Sequence, residues 1–511
     1  MTQLRFEDVM PEARLFLALA RGVVVAPGMR DLRSAVASAR ARTLDREALA
    51  DAVASRLRAL GSPAESVESA ERLRVPGTVV VVAGQQPVLF GGPLLVATKA
   101  LAAVALARRL EAEGVPAVPV FWSAAEDHDH AEASQVGVVG ADGSVERIGV
   151  TLPGDGRMLS AVRAVGADVA QERLAVALPA GPGRAEALAA ASSFASESMG
   201  DAFARLLLAL LGRFGLVVVE PATVRRFTTS VVRHEIERPG ELAAAIAAAE
   251  ADFVRLTGED APLALPRPEL FYVVEDGVRR RVAWDGAAWR LADRSLSSGE
   301  LLARLESDPA AFSWNVAARV LAQDVALPVA AQVCGPAEFA YTSVLGVAHR
   351  ALGLDAPALV ARPGVTIVEP RIRALAEALG TTVEDVVCGR LPPGAAAARP
   401  GPDLSEIRRL LAALPEGRSP ATRRRRDGLL RGLDLYAEAA GREDAEAADT
   451  DAGRRRRVLA ALRPDGGLQE RTLSFLPFVA RHGTGILDRL LEAVSAPGTE
   501  HALLDAAAAE A

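Results

Sequence analysis

The stretch Thr78-Val-Val-Val-Val-Ala-Gly-Gln-Gln-Pro-Val-Leu-Phe-Gly-Gly-Pro93 decides the fold. Its first six residues form a short run rich in β-branched side chains, as in a strand buried on both faces. Glycines at 84, 91 and 92 mark a loop, and the apolar-periodic stretch from Leu94 to Leu110 predicts a helix. After Gly114-Val-Pro116, the segment Ala117-Val-Pro-Val-Phe-Trp122 predicts a second strand, which ends in a burst of charge at Glu126-Asp-His-Asp-His130. Strand, helix, strand in this order reads as a βαβ unit of a parallel sheet, with ligands expected beyond the strand C-termini. Both polar clusters fall at that edge.

Working outward, residues 1–75 show helical spacing, as in Leu49-Ala-Asp-Ala-Val-Ala-Ser-Arg-Leu-Arg-Ala-Leu60, with turn signals such as Pro27-Gly28. They are read as a helical lead-in. Gly215-Leu-Val-Val-Val-Glu220, Leu327-Pro-Val-Ala-Ala-Gln-Val333 and Ala358-Leu-Val360 predict further core strands. Leu270-Phe-Tyr-Val-Val274 and Arg279-Arg-Arg-Val-Ala-Trp284, separated by Glu275-Asp-Gly-Val278, predict a hairpin within an insertion at about 221–310. The catalytic core is therefore drawn as 76–370. From 371 to 511 the pattern turns helical, and from 403 to 463 it carries dense alternating charge, including Arg423 to Arg426 and Arg454 to Arg457. Apolar residues at Ile407, Leu410, Leu411, Leu414, Leu429, Leu430, Leu433, Leu435 and Tyr436 give this arm a seam, and Pro415, Gly417 and Pro420 break it.

Composition narrows the function classes. At 511 residues the chain exceeds one compact core, and a net charge of −7 argues against a general nucleic-acid binder. No run of 18 uncharged apolar residues occurs, and Arg5, Glu7 and Asp8 interrupt the N-terminus, so a cytoplasmic protein with no membrane partner is expected. Two cysteines cannot make a disulfide framework, and Cys334 reads as a small buried hydrophobe. Arg dominates the 58 basic residues: the sequence holds one lysine, Lys99, and one asparagine, Asn315. A lysine that survives such a bias marks a place where a compact ammonium cannot be replaced by a planar guanidinium.

Three clusters could carry chemistry. Gly84-Gln85-Gln86, with Lys99 two turns into the helix, suits an anion near backbone amides and a helix N-terminus, although it is neither a P-loop nor a dinucleotide fingerprint. Glu126, Asp127, His128 and Asp129 can orient an amine or move a proton, and without soft ligands nearby no structural metal is expected. Asn315 and Arg319 lie four apart and share a helix face, while Gly335, Glu338 and Tyr341 follow another strand as a second half-site.

Here the sequence resembles a known family. Gly84-Gln-Gln-Pro-Val-Leu-Phe-Gly-Gly-Pro93, Phe121-Trp-Ser-Ala-Ala-Glu-Asp-His-Asp129, Gly335-Pro-Ala-Glu-Phe-Ala-Tyr341 and Gly467-Leu-Gln-Glu-Arg471 match, in order, motifs of the BshC family, the cysteine ligases of bacillithiol biosynthesis. The resemblance implies an α/β fold with a Rossmann-like parallel sheet similar to class I aminoacyl-tRNA synthetases, connecting-peptide insertions and a C-terminal coiled-coil arm that forms a homodimer. It implies ligation of L-cysteine to glucosaminyl malate, with Glu126, Asp127, His128 and Asp129 as the catalytic group. Gly84, Gln85, Gln86, Phe90, Gly92, Lys99, Trp122, Asn315, Arg319, Gly335, Glu338, Tyr341, Gln469 and Arg471 then form the substrate- and nucleotide-binding set. Amide formation needs a carboxyl activated as an adenylate or an acyl phosphate, so ATP/ADP with Mg2+ is the expected cofactor. The alternatives are a synthetase-like activator acting on another acceptor, or a catalytically decayed dimeric binding protein.

Overall fold

The computed structural model describes residues 1–26, 28–140, 142–391, 404–413, 428–433, 436–437, 451–495 and 498–506. Its centre is a five-stranded parallel sheet: β1 (Val79–Gln85), β2 (Ala117–Ser123), β3 (Val217–Val219), β4 (Val329–Cys334) and β5 (Ala358–Ala361). The order across the sheet is β5-β4-β1-β2-β3. Val79 to Ala83 are all fully buried because both faces of β1 are covered, which is why the strand reads as a continuous apolar run rather than an alternating one. Helix α1 (Leu94–Ala112) packs along β1 and β2. From β1 the chain moves one way to β2 and later returns to the other side as β4, so the order reverses at β1 and β4, where the loops open a crevice.

The loop from β1 into α1 is tightly wound. Phe90, Gly91 and Gly92 all have left-handed φ, at 50°, 80° and 70°. A Cβ on Gly91 would stand 2.7 Å from Leu206 Cδ2, so only glycine fits there. Phe90, fully buried, packs edge-on against Phe194.

The insertion carries helices Thr229–Glu237 and Glu241–Thr257 and then an antiparallel five-stranded sheet. The expected hairpin is present: Phe271–Glu275 pairs with Val278–Trp284 across Asp276-Gly277, both at positive φ as a two-residue turn requires. Phe312–Trp314 supplies another strand of this sheet, so the inserted structure reaches Trp314, directly before helix α2 (Val316–Ala326). The lead-in is helical as expected, with Asp31 and Asp45 capping two of its helices. It also contributes a strand, Thr2–Arg5, which pairs antiparallel with Glu500–Asp505. Glu500–Asp505 in turn pairs parallel with Gly364–Val368, so the two ends of the chain and its middle share one small sheet.

Of the charged arm, helices Ser405–Ala413 and Ala452–Leu462 are described, and Ile407, Leu410, Leu429 and Tyr436 are exposed. Pro27, Leu414, Leu435, the Pro415 to Pro420 break and Arg423 to Arg426 lie outside the described residues. No helix among the described residues is long and apolar enough to cross a membrane.

Candidate functional site

The loops after β1, β2 and β4, the start of α2 and the inserted hairpin enclose a cavity of about 720 Å³. Thirteen of the eighteen residues expected from the sequence line it: Gly84, Gln85, Gln86, Lys99, Glu126, Asp127, His128, Asn315, Arg319, Gly335, Glu338, Tyr341 and Arg471. These come from five separate segments of chain. They meet because three of the segments follow strands of the parallel sheet, Asn315 and Arg319 follow the last strand of the inserted sheet, and the C-terminal segment brings in Arg471.

Lys99 stands at the floor, 6% exposed. Its ammonium donates to Gly84 O at 2.9 Å, Gln85 Oε1 at 3.2 Å and Glu338 Oε2 at 2.7 Å. The three hydrogens of the ammonium thus have three protein acceptors, and Gln332 Nε2 holds the other Glu338 oxygen at 3.3 Å. The lysine ties the tip of β1 to helix α3 (Pro336–Ser343), one on each side of the crevice. Arg319 donates to Tyr341 Oη at 3.0 Å. Asn315 turns its Oδ1 onto the amides of Ala317 and Ala318, at 3.1 and 2.9 Å, and so caps the helix that positions Arg319.

The acidic loop is divided by function. Glu126 is buried, ion-paired with Arg225 and bonded by Ser313 Oγ at 2.6 Å, so its charge is spent inside the wall. Asp127 accepts from the amides of His128 and Asp129. Asp129 does not line the cavity; it caps the short helix His130–Ala133 through the amide of Glu132. Burial and the neighbouring Arg279 guanidinium hold the His128 imidazolium pKa below its ordinary range. Nδ1 of His128 faces Arg279 Nη1 at 3.3 Å, an arrangement that leaves Nδ1 as acceptor and puts the ring proton on Nε2. His128 therefore presents a donor to the cavity.

Phe90, Gly92, Trp122 and Gln469 lie away from this cavity. Phe90 and Gly92 build the turn before α1, and Trp122 is a fully buried part of β2. Gln469 braces backbone: its amide bonds Ile367 N, Ile367 O and Ala461 O, each at 2.8 Å. Cys334 is fully buried, and burial pushes its thiol well above the ordinary range, which removes it as a nucleophile.

The sequence reading passed over several residues that the cavity brings in. Arg279 stacks over Tyr272 at 4.2 Å and donates to Glu126 O at 3.2 Å and to Trp314 O, docking the inserted hairpin onto the acidic loop. Arg281, two residues on, lines the same cavity, and the period-two alternation of a strand was the available signal. Arg362, at the end of β5, also reaches the cavity; its guanidinium is clamped by Glu470 at 2.8 and 2.6 Å. Glu132 lines the cavity beside Asp127. Cationic and anionic side chains therefore share one enclosed space, the condition for binding an amine and a polyanion together.

Comparison with known proteins places the chain in a family. Residues 26–363 match the domain described as "Bacillithiol biosynthesis BshC, N-terminal Rossmann-like domain", and residues 404–506 match "Bacillithiol biosynthesis BshC, C-terminal coiled-coil domain". Several relatives bear the name "Putative cysteine ligase BshC". That of Koribacter versatilis is 30% identical over 85% of either chain. That of Salinibacter ruber is 30% identical over 92% of this chain and 90% of its own, and that of Geobacillus kaustophilus 30% over 89% and 90%.

Proposed function

The chain belongs to the BshC family of bacillithiol biosynthesis, and from that premise we propose that it joins the carboxyl group of L-cysteine to the amine of glucosaminyl malate, the last step of that synthesis. The observation that supports this reading is the mixed lining of the 720 Å³ cavity at the sheet's C-terminal edge. Amide formation needs an amine held near a carboxylate, and it needs fixed positive charge where the acyl oxygen and the leaving group become anionic. Asp127 serves the amine. Arg319, Arg279, the amides near Gln85 and Gln86, and the Nε2 hydrogen of His128 serve the anionic groups. Lys99, saturated by protein acceptors, sets the field and the spacing of the crevice. ATP would supply the phosphoryl or adenylyl group that activates the cysteine carboxyl. Mg2+ would accompany the nucleotide as the counterion of its phosphates.

The test is product formation from cysteine, glucosaminyl malate and ATP, followed by mass spectrometry. We expect the thiol amide together with ADP or AMP. Nucleotide turnover only with a different acceptor amine would move the assignment to that acceptor, and failure to turn over nucleotide at all would leave a binding protein.

We also propose that the protein acts as a homodimer through the charged arm. Ile407, Leu410, Leu429 and Tyr436 are exposed on it, and apolar residues at helical spacing need a partner surface. A second copy supplies it by two-fold pairing. Light scattering should give a dimer for the intact protein and a monomer for a variant lacking 403–463. A monomeric intact protein removes the claim, and a dimeric deletion variant moves the interface elsewhere.

A further inference from the structure

Five carboxylate side chains line the cavity: Glu126, Asp127, Glu132, Glu269 and Glu338. Four are already engaged. Glu126 is held by Arg225 and Ser313, Glu338 by Lys99 and Gln332, Glu269 by the amide of Trp284 at 3.0 Å, and Asp127 by two amides of its own loop. The carboxyl of Glu132 has no hydrogen bond or ion pair among the described residues. His128 offers a proton rather than a lone pair, because its Nδ1 faces Arg279. Among the described residues Glu132 is thus the cavity carboxylate with both oxygens free to accept, and the one most available to a reaction that must remove a proton from an amine.

From this contrast we propose that Glu132 is the catalytic base of the ligation, taking the proton from the substrate amine as the amide bond forms. The assignment rests on the ligase reading above. In the step, the amine lone pair attacks the carbonyl carbon of an acyl group activated as a phosphate ester or anhydride. The C–N bond forms, the bond from that carbon to the phosphoryl oxygen breaks, the phosphate or nucleotide leaves with its electron pair, and the amine proton passes to Glu132.

The position of Glu132 suits the task. It sits on the one-turn helix His130–Ala133, which Asp129 fixes by capping. It is exposed at the cavity wall, so it can return the proton to water. The groups acting on it are its burial, then Asp129 and Asp127 from its own loop, opposed by Arg471 of the C-terminal segment and Lys99 of α1. The balance raises its pKa above that of an ordinary glutamate, towards the range in which a carboxylate becomes a useful base.

The experiment compares wild type with Glu132→Gln and Glu132→Ala, in the ligation assay across pH and with added formate. In wild type, kcat should rise with pH as Glu132 loses its proton, along a limb set above the ordinary glutamate value. Glu132→Gln should lower kcat by about 100-fold or more, leave KM within a few-fold, and erase that limb. Glu132→Ala should recover rate in proportion to formate, which a merely structural role would not allow. A Glu132→Gln protein within twofold of wild type, or a folded Glu132→Ala protein indifferent to formate, overturns the assignment and leaves the ligase reading standing. Absence of product from wild type overturns both.

Discussion

Lys99→Arg is expected to lower turnover on the order of 100-fold while keeping the formal charge, the cost typical of misplacing site groups by about an ångström. The lysine donates in three directions to Gly84, Gln85 and Glu338 from a compact, rotatable ammonium. A guanidinium is planar and longer, and its donors diverge in one plane. It cannot meet these acceptors without pushing α3 away from the tip of β1. Lys99→Met tests the other half of the argument: it strands the Glu338 carboxylate in a buried site and should cost about 3–5 kcal/mol of stability. Turnover and a melting curve, measured on both variants, separate the two effects. A Lys99→Arg enzyme working within twofold of wild type would mean that the survival of this one lysine is accidental.

Glu470→Gln should destabilise the fold by about 3–5 kcal/mol, because it removes one partner of a buried ion pair and leaves the other. Glu470 is 0% exposed and accepts two bonds from Arg362 and one from the amide of Val365 at 2.8 Å. A glutamine keeps one acceptor and turns an NH2 towards these donors. Burial alone would raise the Glu470 pKa, but the Arg362 charge and its hydrogen bonds outweigh burial and hold it below the ordinary value. The sign follows: the pair stabilises the fold above the unfolded-state pKa of glutamate, and that contribution fades as pH falls through the depressed native value. Wild type and Glu470→Gln should therefore differ strongly in urea at pH 7 and converge in acid. Because the next residue, Arg471, lines the cavity, activity should fall with stability. An unchanged urea midpoint at pH 7 would show that the pair is dispensable.

The sheet was legible in the sequence because its strands are buried on both faces, and a run such as Val79 to Val82 has no other ready explanation. The site was legible to the extent that it follows a strand end: Gln85, Asp127, Gly335 and Glu338 fall where a parallel sheet gathers its ligands. Local order could not reveal which motif residues face inward. Phe90, Gly92, Trp122 and Gln469 stand in the same motifs, yet the fold uses them for a left-handed turn, a core and a backbone brace. Arg279 and Arg362 were missed for the opposite reason. Their place depends on how the inserted hairpin and the C-terminal segment dock, and contacts of such long range leave no period in the sequence. The choice of His128 as a site residue could be made from the sequence, but its tautomer depends on Arg279, some 150 positions away.

The small sheet that joins Thr2–Arg5, Gly364–Val368 and Glu500–Asp505 also sets a timetable for biosynthesis. On the ribosome, Gly364–Val368 emerges with its hydrogen-bonding edge open, and its strand partner follows only after about 10–25 s at ordinary elongation rates. Until then Val365 and Ile367, buried in the finished protein, are exposed on an unpaired strand, the kind of edge that recruits other nascent chains. Glu470 and Arg471 are likewise late arrivals, so Arg362 waits uncompensated and the cavity lacks a wall. The enzyme is thus assembled by a late-made segment, and chains stalled before Glu470 should be cleared or aggregate rather than linger as partly active species.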